Sequence, residues 1–485
     1  MRSWLARDIS ASFVVFLVAM PLCMGIAIAS GVPPERGLLT GIIGGIVVGL
    51  LSGSPLQVSG PAAGLVVMVF AIVEDHGIGA LGPILLLAGA LQCLAGALRL
   101  GRWFRAISPA VVHGMLAGIG VLIVVGQLQV LVDNKPMASG LDNLLAAPGA
   151  IFGLLPLDGV GGEAALVTGL VTMGVMIGWE KLRPASLRLV PGALLGVGAG
   201  TALAAVFALP VLHIAVPDRL WDAVALPDAK AFGQLLQPSF MLTALALAFV
   251  ASAESLLSAS AVDRMQDKVR TNYDRELFAQ GVGNGLSGLL GGIPMTGVIV
   301  RSSANVQAGA TTRLSTILHG VIILVFVALL PGVLRLVPTA ALAGVLVVTG
   351  WRLIGVHHVL ELLRDHGRMP AAIWLATFAG VVVTDLLTGV LAGLALSVVE
   401  SVRHLRRPGF RLRKVDTDAA TELRLAGTAT FLRLPQLLSA VEAVPAGRDL
   451  RIRTRGLWHM DHTFASTLQQ MAARGSKGGG RILVG

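Results

Sequence analysis

Apolar segments of about twenty residues recur along the chain from Ala11 to Val402, and short polar loops separate them. A helix needs about 20 apolar residues to cross a hydrocarbon layer roughly 30 Å thick. Hydropathy, with breaks at glycine and proline, therefore predicts an all-α polytopic membrane domain of about fourteen spans over residues 1–407. The predicted spans begin near Ala11, Leu38, Pro61, Gly82, Ile107, Glu163, Gly192, Pro238, Glu276, Gly297, Leu314, Val337, Pro370 and Leu387.

The pattern changes after residue 407 to the alternation expected of a water-soluble domain. Period-two runs rich in β-branched and aliphatic residues predict strands, and amphipathic runs between them predict helices. Residues 408–485 are thus predicted to form a small α/β domain. Its elements are two strands within 421–432, a helix at 434–444, a strand at 449–456, a helix at 462–475 and a strand at 481–485.

The distribution of charge predicts the orientation of the spans, because short cytoplasmic loops are rich in Lys and Arg. With the N-terminus inside, the alternate loops and the exit from the last span carry Arg99, Arg102, Arg105, Lys181, Arg183, Arg188, Arg264, Lys268, Arg270, Arg275, Arg352, Arg364, Arg368, Arg403, Arg406, Arg407, Arg411, Arg413 and Lys414. The opposite loops carry Glu74, Asp75, Asp133, Asp142, Asp158, Asp218, Asp222 and Asp228. Both termini are therefore predicted to be cytoplasmic, and the net charge of +10 reflects these loops rather than nucleic-acid binding.

Composition excludes other classes of protein. The chain is 55% hydrophobic and only 13% charged, whereas soluble proteins are about 25% charged. Its two cysteines, Cys23 and Cys93, lie within apolar segments and provide neither a disulfide framework nor a zinc site. No histidine has the spacing of a metal motif, and no serine or cysteine lies in a nucleophile elbow. We therefore predict neither an enzyme nor a bound cofactor.

The glycines Gly37, Gly41, Gly45 and Gly49 recur every four residues within one span. This spacing lines one helix face with hydrogen atoms and lets a neighbouring helix approach closely. We interpret the repeat as a packing surface rather than a ligand site.

Two spans are interrupted by glycine and proline, at residues 52–64 and 291–309. Corresponding breaks in the two halves of a transporter point to an inverted repeat with a binding site near mid-membrane. A helix that begins inside the membrane leaves its first amides unpaired and carries partial positive charge there, so two such ends form an anion site. Ordinary proline kinks are the alternative. The candidate donors, which follow Gly60 and Pro61 or begin at the second break, are the amides of Ala62, Ala63, Gly64, Gly297, Val298 and Ile299.

Two charged residues lie inside predicted spans, where charge is costly and usually functional. Arg301 follows the second break and would add positive charge to an anion site, or else bind a helix C-terminus or a lipid headgroup. Glu254 is the only acid in its apolar run, and Ser258 lies one helical turn further on the same face. Glu254 could carry a proton, ligate Na⁺ together with Ser258, or form a hydrogen bond to a neighbouring helix.

Five segments taken together are characteristic of one family: AMPLCMGIAIASGVPPERGL, GSPLQVSGPAAG, AESLLSASAVDRM, GNGLSGLLGGIP and VRSSANVQAGATTRLSTILHG. In these segments and in their order the chain resembles the SulP anion permeases. The resemblance implies a 7+7 inverted repeat with core and gate domains, an elevator-type transport cycle, a homodimer and a C-terminal STAS domain. The implied substrate-binding residues are Gly60, Pro61, Ala62, Ala63, Gly64, Gly297, Val298, Ile299, Val300, Arg301 and Cys23, and the implied coupling-ion residues are Glu254 and Ser258.

Departures from the family pattern refine the expectation. Pro21-Leu22 replaces the Pro-Gln of many members, which removes a side-chain contact to substrate. PLCMGIAIASG together with VIVRSSAN looks most like the subgroup linked to carbonic anhydrases, which favours bicarbonate over sulfate and suggests such an association. The tail has DHTF at 461–464 where regulatory STAS domains carry a phosphorylation motif, and it ends before the last helices of a full domain. A structural or dimer-supporting role, rather than that of a switch, is therefore expected for it.

The expected function is secondary transport of bicarbonate or sulfate across a bacterial inner membrane, coupled to H⁺ or Na⁺ or by exchange. A dicarboxylate/H⁺ symporter and a channel-like anion conductor are the alternatives. A nucleobase carrier of similar fold is disfavoured, because the breaks have small or apolar side chains and would not read a polar ring.

Overall fold

A computed structural model describes residues 2–484 except 102–107, 138, 154–161, 185–186, 188, 218–219, 228–232, 234–236, 267–268, 356–363, 365–367, 405–408, 417–419, 431–432, 446–447 and 475–481. Several residues used in the predictions lie outside this range: Arg102, Arg105, Ile107, Asp158, Arg188, Asp218, Asp228, Lys268, Arg406 and Arg407. The chain forms two compact units, one of Met1–Gly101, Gly118–Ile354 and Val382–Leu386, the other of Arg102–Ala117, Gly355–Val381 and Leu387–Gly485.

Helices, many of them apolar, account for most of the described residues N-terminal to residue 405. In chain order they are α1 (Arg2–Ala29), α2 (Pro34–Leu51), α3 (Val66–His76), α4 (Leu81–Ala97), α5 (Pro109–Leu131), α6 (Gly140–Phe152), α7 (Gly162–Leu182), α8 (Gly192–Val206), α9 (Pro238–Met265), α10 (Tyr273–Leu290), α11 (Ile299–Gln307), α12 (Leu314–Leu329), α13 (Thr339–Ile354), α14 (Arg368–Val383) and α15 (Leu386–His404).

A described helix contains or closely follows each of the fourteen predicted starts. Six helical segments among the described residues are long and apolar enough to cross a membrane. The number of crossings stays a prediction, because several of the remaining helices are shorter than a bilayer is thick. Helix α6 was not predicted as a separate element; it has proline inside it and acidic Asp142 in its first turn.

The glycine repeat in α2 packs against neighbouring helices, as predicted. A Cβ atom at Gly37 would lie 2.0 Å from the Cys23 carbonyl oxygen of α1, and one at Gly45 would lie 2.6 Å from the Gly320 Cα of α12. A side chain at either glycine would occupy space that the neighbouring backbone already fills, so glycine is what permits this close approach. Helix α2 also contains a π-helical stretch at Gly44–Val48.

The C-terminal residues fold into a four-stranded sheet with helices between its parallel strands. The elements are β3 (Arg411–Asp416), β4 (Ala420–Ala429), α16 (Leu434–Glu442), β5 (Asp449–Met460), α17 (His462–Arg474) and β6 (Ile482–Val484), and the strand order is β3-β4-β5-β6. Strands β3 and β4 are antiparallel, and the other neighbours are parallel. The predicted α/β character is confirmed, whereas the assignment to the STAS family and the boundary at 407/408 stay predictions.

Two details of the prediction for this region were wrong. The described residues of 421–432 form one strand rather than two, because β4 runs on through Gly427, whose φ of 86° lies at an irregularity in the pairing with β5. Glycine tolerates this left-handed conformation, so the residue that suggested a turn lies inside one continuous strand, at a point where β5 has one extra residue. The charged strand β3 was missed, because its sequence, RLRKVD, has few of the apolar residues that mark a strand.

Candidate anion-binding site

The two interrupted spans meet in the first unit through a pair of short strands. Strand β1 (Ser59–Pro61) pairs antiparallel with β2 (Met295–Gly297), with Gly60 opposite Thr296. Two further backbone hydrogen bonds extend the pairing, from the Ala62 N–H to the Pro294 oxygen (3.2 Å) and from the Val298 N–H to the Val58 oxygen (2.9 Å). The pair satisfies backbone groups that a break in a helix would otherwise leave without partners inside the membrane.

A helix begins immediately after each strand. The turn Ala63–Leu65 leads into α3, and Val298 precedes α11, so two helix N-termini start beside the paired strands. The predicted meeting of two half-helix ends is therefore present in the structure. The partial positive charge at each end favours an anion between them.

The hydrogen-bond pattern distinguishes among the predicted amide donors. Ala62 and Val298 donate to backbone oxygens, and the Gly297 N–H donates to Ser255 Oγ at 3.2 Å. These three amides already have acceptors within the chain. The amides of Ala63, Gly64, Ile299 and Val300 lie in the first turns, where an N–H group has no acceptor within its own helix.

Arg301 lies in the first turn of α11 and is fully buried, at 0% exposure. None of its three side-chain nitrogen atoms has a hydrogen-bond partner among the described residues. Its guanidinium group lies against Gly60, where a Cβ atom would be 2.1 Å from Nη1. The thiol of Cys23, which is also fully buried, lies near the guanidinium group. A buried cation without a partner is strongly unfavourable, so a bound anion would stabilise this arrangement.

Glu254 reaches the same break from helix α9. A Cβ atom at Gly64 would lie 2.8 Å from its Oε2, and the carboxyl group faces the Gly64 amide and the Thr296 hydroxyl. Oε2 of Glu254 and Oγ1 of Thr296 are both buried without a hydrogen-bond partner among the described residues. Ser258 is buried one turn further along α9. Two oxygen atoms in this setting fit either a proton on the carboxyl group or an oxygen-coordinated cation.

The structure thus brings most of the predicted site residues to one place. Gly60 contacts Arg301, Gly64 contacts Glu254, and Cys23 lies near the guanidinium group. Pro61 continues β1, and Val300 lies in the first turn of α11 with 38% of its side chain exposed. Within the described part of the chain no three His, Cys, Asp or Glu side chains form a metal cluster.

Sequence reasoning missed Gln57, which holds β2 and α9 together. Its Nε2 donates to the Ser255 carbonyl oxygen at 3.1 Å, and a Cβ atom at Gly297 would lie 1.3 Å from that nitrogen. Gln57 therefore occupies the space above Gly297 that any other residue at position 297 would fill. This explains why the second break needs glycine there.

Asn284 on α10 is a second scaffold residue that the sequence did not single out. Its side chain accepts from the Met295 N–H (2.8 Å) and donates to the Met295 oxygen (3.1 Å), as a neighbouring strand would. Its Nδ2 also donates to Gln92 Oε1 at 2.8 Å. The polar residues of the segment GNGLSG could have indicated this role, because a polar side chain buried inside a span needs a specific partner.

Glu276 and Gln280 secure the other strand. Glu276 Oε2 accepts from Ser52 Oγ (2.6 Å) and from the Ser54 N–H (2.9 Å), and Gln280 Nε2 donates to Ser59 Oγ at 2.7 Å. Gln280 Nε2 also donates to Glu276 Oε1. Both breaks are therefore held by buried side chains of α10, which positions the two helix starts before any ligand binds.

Comparisons with known proteins show which family and which fold the chain is similar to. The model of the sulfate permease family matches residues 5–377. The chain is 32% identical over 412 residues to "Putative sulfate transporter YvdB" of Bacillus subtilis, covering 82% of this chain and 74% of that protein. It is 26% identical over 444 residues to the bicarbonate transporter BicA of Picosynechococcus, covering 87% of this chain and 74% of that protein.

A solved structure has the same helical fold. The transmembrane domain of a cyanobacterial bicarbonate transporter, BicA, superposes with a TM-score of 0.69 at 23% sequence identity, covering 81% of this chain and 98% of that domain. The relatives are membrane transporters, as predicted, and not enzymes.

Proposed function

The chain belongs to the sulfate permease family, and on that premise we propose that it is a secondary active transporter of a small inorganic anion, bicarbonate or sulfate. The family and the relatives make it a membrane anion transporter; the choice of anion, the coupling and the mechanism are the proposal. The relatives that match along most of their length include one named "Putative sulfate transporter YvdB" and one named "Bicarbonate transporter BicA".

The observation that carries the proposal is the buried guanidinium of Arg301 beside two helix starts. An anion between the amides of Ala63, Ile299 and Val300 would also supply the hydrogen-bond acceptors that the Arg301 nitrogen atoms lack. Such an anion neutralises the buried charge, so that the loaded site can move within the membrane more easily than the empty one. We propose an elevator-type movement of that part of the first unit which carries this site.

Coupling is assigned to Glu254, which contacts Gly64 at the first helix start. A proton or Na⁺ on this carboxyl group would offset its negative charge near the bound anion and so favour simultaneous binding of both. Ser258 and Thr296 are the neighbouring hydroxyls that would assist a cation. A homodimer in a bacterial plasma membrane, with both termini cytoplasmic, completes the proposal.

Uptake into proteoliposomes tests the transport activity directly. Labelled bicarbonate and sulfate are offered separately, under an imposed pH gradient or sodium gradient, and each anion competes against the other. We expect saturable uptake of one of them, driven by one of the gradients. Uptake of neither would redirect the search to dicarboxylates, and a current that does not saturate would indicate a channel-like conductor.

Replacing Glu254 by glutamine is expected to reduce gradient-driven accumulation at least tenfold while downhill anion exchange persists. The amide keeps the size of the carboxyl group, but it does not take up a proton and has no negative charge to attract Na⁺. Glu74→Gln is the matched control, because Glu74 is exposed and lies near the far end of the same half-helix, α3. If accumulation by Glu254→Gln keeps its original pH and sodium dependence, Glu254 has no part in coupling.

A further inference from the structure

The C-terminal sheet has one covered face and one face that the described residues leave open. Helices α16 and α17 both pack on the same side, where Leu434, Leu437, Phe464 and Leu468 join a core with Leu423, Leu425, Leu450 and Ile452 of the strands. Side chains alternate between the two faces of a strand. The residues next to these core positions therefore point to the opposite, open side.

That open side carries five arginines, which we call the arginine face: Arg411, Arg413, Arg424, Arg451 and Arg453. The register places Arg413 opposite Arg424, and Arg424 opposite Arg453, so arginines of three neighbouring strands form one row. All five are exposed. Neighbouring strands lie about 4.8 Å apart, which keeps these charges well within the distance over which they repel one another at physiological salt.

Two acidic residues share the face and do not balance it. Glu422 binds Arg424, with Nη2 to Oε2 at 2.9 Å, and also binds Arg453. Asp449 lies at the start of β5 in the same alternation as Arg451. Arg411 and Arg413 lie on the edge strand β3, whereas the two arginines that Glu422 binds lie on β4 and β5. The face thus keeps a net positive charge that favours an anionic partner.

The position of the sheet in the chain indicates which anionic partner is within reach of the arginine face. Helix α15 ends at His404 and β3 begins at Arg411, so seven residue steps, at most about 25 Å, separate the last predicted span from the first arginine. Basic residues that closely follow a span attract the anionic headgroups of the membrane. Leu483, which lies opposite Arg451 on β6, is 52% exposed.

We propose that the arginine face binds the anionic lipid headgroups of the leaflet next to the C-terminal domain. The lipid thereby covers a sheet face that would otherwise expose a row of like charges. The attraction is electrostatic, so it depends on the fraction of anionic lipid and weakens as salt screens it. This role is independent of the anion that the membrane site carries.

Thiol labelling of the full chain in nanodiscs tests the proposal. Leu483→Cys places a probe on the arginine face, and mass spectrometry of the peptide around position 483 measures its reaction with a charged, membrane-impermeant maleimide. Reading that peptide alone keeps Cys23 and Cys93 out of the measurement. We expect labelling at least fivefold slower in discs rich in phosphatidylglycerol than in discs of phosphatidylcholine, and recovery in about 0.5 M NaCl.

Charge variants identify the residues responsible. Arg411→Glu with Arg413→Glu is expected to restore fast labelling in the anionic discs, because both side chains leave the sheet core untouched. Arg433→Glu is the matched control; it makes the same charge change just before α16, which packs on the opposite face, and should leave the protection in place. Hydrogen exchange of the β4 and β5 peptides shows whether the double variant remains folded, and Arg411→Gln with Arg413→Gln repeats the test with a milder change.

Two results would overturn the proposal. Equal labelling rates in both lipid compositions would mean that anionic lipid does not cover the face. Protection that follows the number of chains in a disc, whatever the lipid charge, would mean that a second copy of the chain covers it instead.

Discussion

Replacing Arg301 by alanine is expected to raise the KM for anion uptake about ten- to a hundredfold without lowering the thermal stability of the protein. A hydrogen bond to a charged group contributes about 1.5–3 kcal/mol, and each 1.4 kcal/mol is a tenfold change in affinity. The side chain is fully buried, and its nitrogen atoms have no partner in the described chain. Removing an unpaired buried charge therefore costs the empty protein little, while the anion loses its strongest donor.

The uptake KM and the melting temperature together decide between a binding and a structural role for Arg301. If Arg301 had a structural role, its removal would destabilise the fold. A fall in melting temperature with an unchanged KM would therefore contradict the prediction. Arg301→Lys should give an intermediate KM, because lysine keeps the charge but not the planar fork of donors. Arg313→Ala is the control, since Arg313 lies outside the site and donates to the Leu50 carbonyl oxygen at 2.7 Å.

Replacing Gly60 by alanine is expected to reduce transport at least tenfold, although only one methyl group is added. That methyl carbon would lie 2.1 Å from Arg301 Nη1, so the guanidinium group must move away from the first helix start. Initial rates of uptake into proteoliposomes, normalised to the amount of folded protein, measure the effect. Gly285→Ala is the matched control, because a Cβ atom there would have no neighbour within 4 Å.

A double-mutant cycle distinguishes displacement of Arg301 from a general disturbance of β1. If Gly60→Ala acts by moving the guanidinium group, it should have little further effect in a chain that already carries Arg301→Ala. Additive losses in the double variant would show that the methyl group disturbs the strand pair itself. A side chain is excluded at another position of the strand pair as well, because Gly297, which lies opposite Ser59, is already in contact with Gln57.

The positions of the functional groups along the chain could be predicted because their signals are local. A run of apolar residues predicts a span, and glycine and proline inside it predict a break, whatever lies nearby in space. A lone arginine or glutamate in such a run stands out for the same reason, which is how Arg301 and Glu254 were identified. The glycine repeat of α2 could also be recognised from the sequence, and in the structure it packs against neighbouring helices.

The sequence could not show which backbone amides are left for a ligand. Ala62 and Val298 donate to residues of the opposite break, more than 200 positions away in the chain, and Gly297 donates to Ser255. The same holds for Asn284, whose role depends on its lying beside Met295 in space. The order of apolar and polar residues along the chain does not specify such pairings, because helices of the same hydropathy could pack against one another in several different arrangements.

By itself, then, the sequence determined that this chain is a bundle of membrane helices with two interrupted spans, two charged residues near them and an α/β tail. Only the tertiary structure decided that the breaks pair as β1 and β2, that Arg301 lies on Gly60 and Glu254 on Gly64, and that five arginines of the tail share one face. The physical reason is that hydropathy and helix interruption depend on neighbours in the chain, whereas hydrogen bonds, side-chain contacts and strand register depend on neighbours in space.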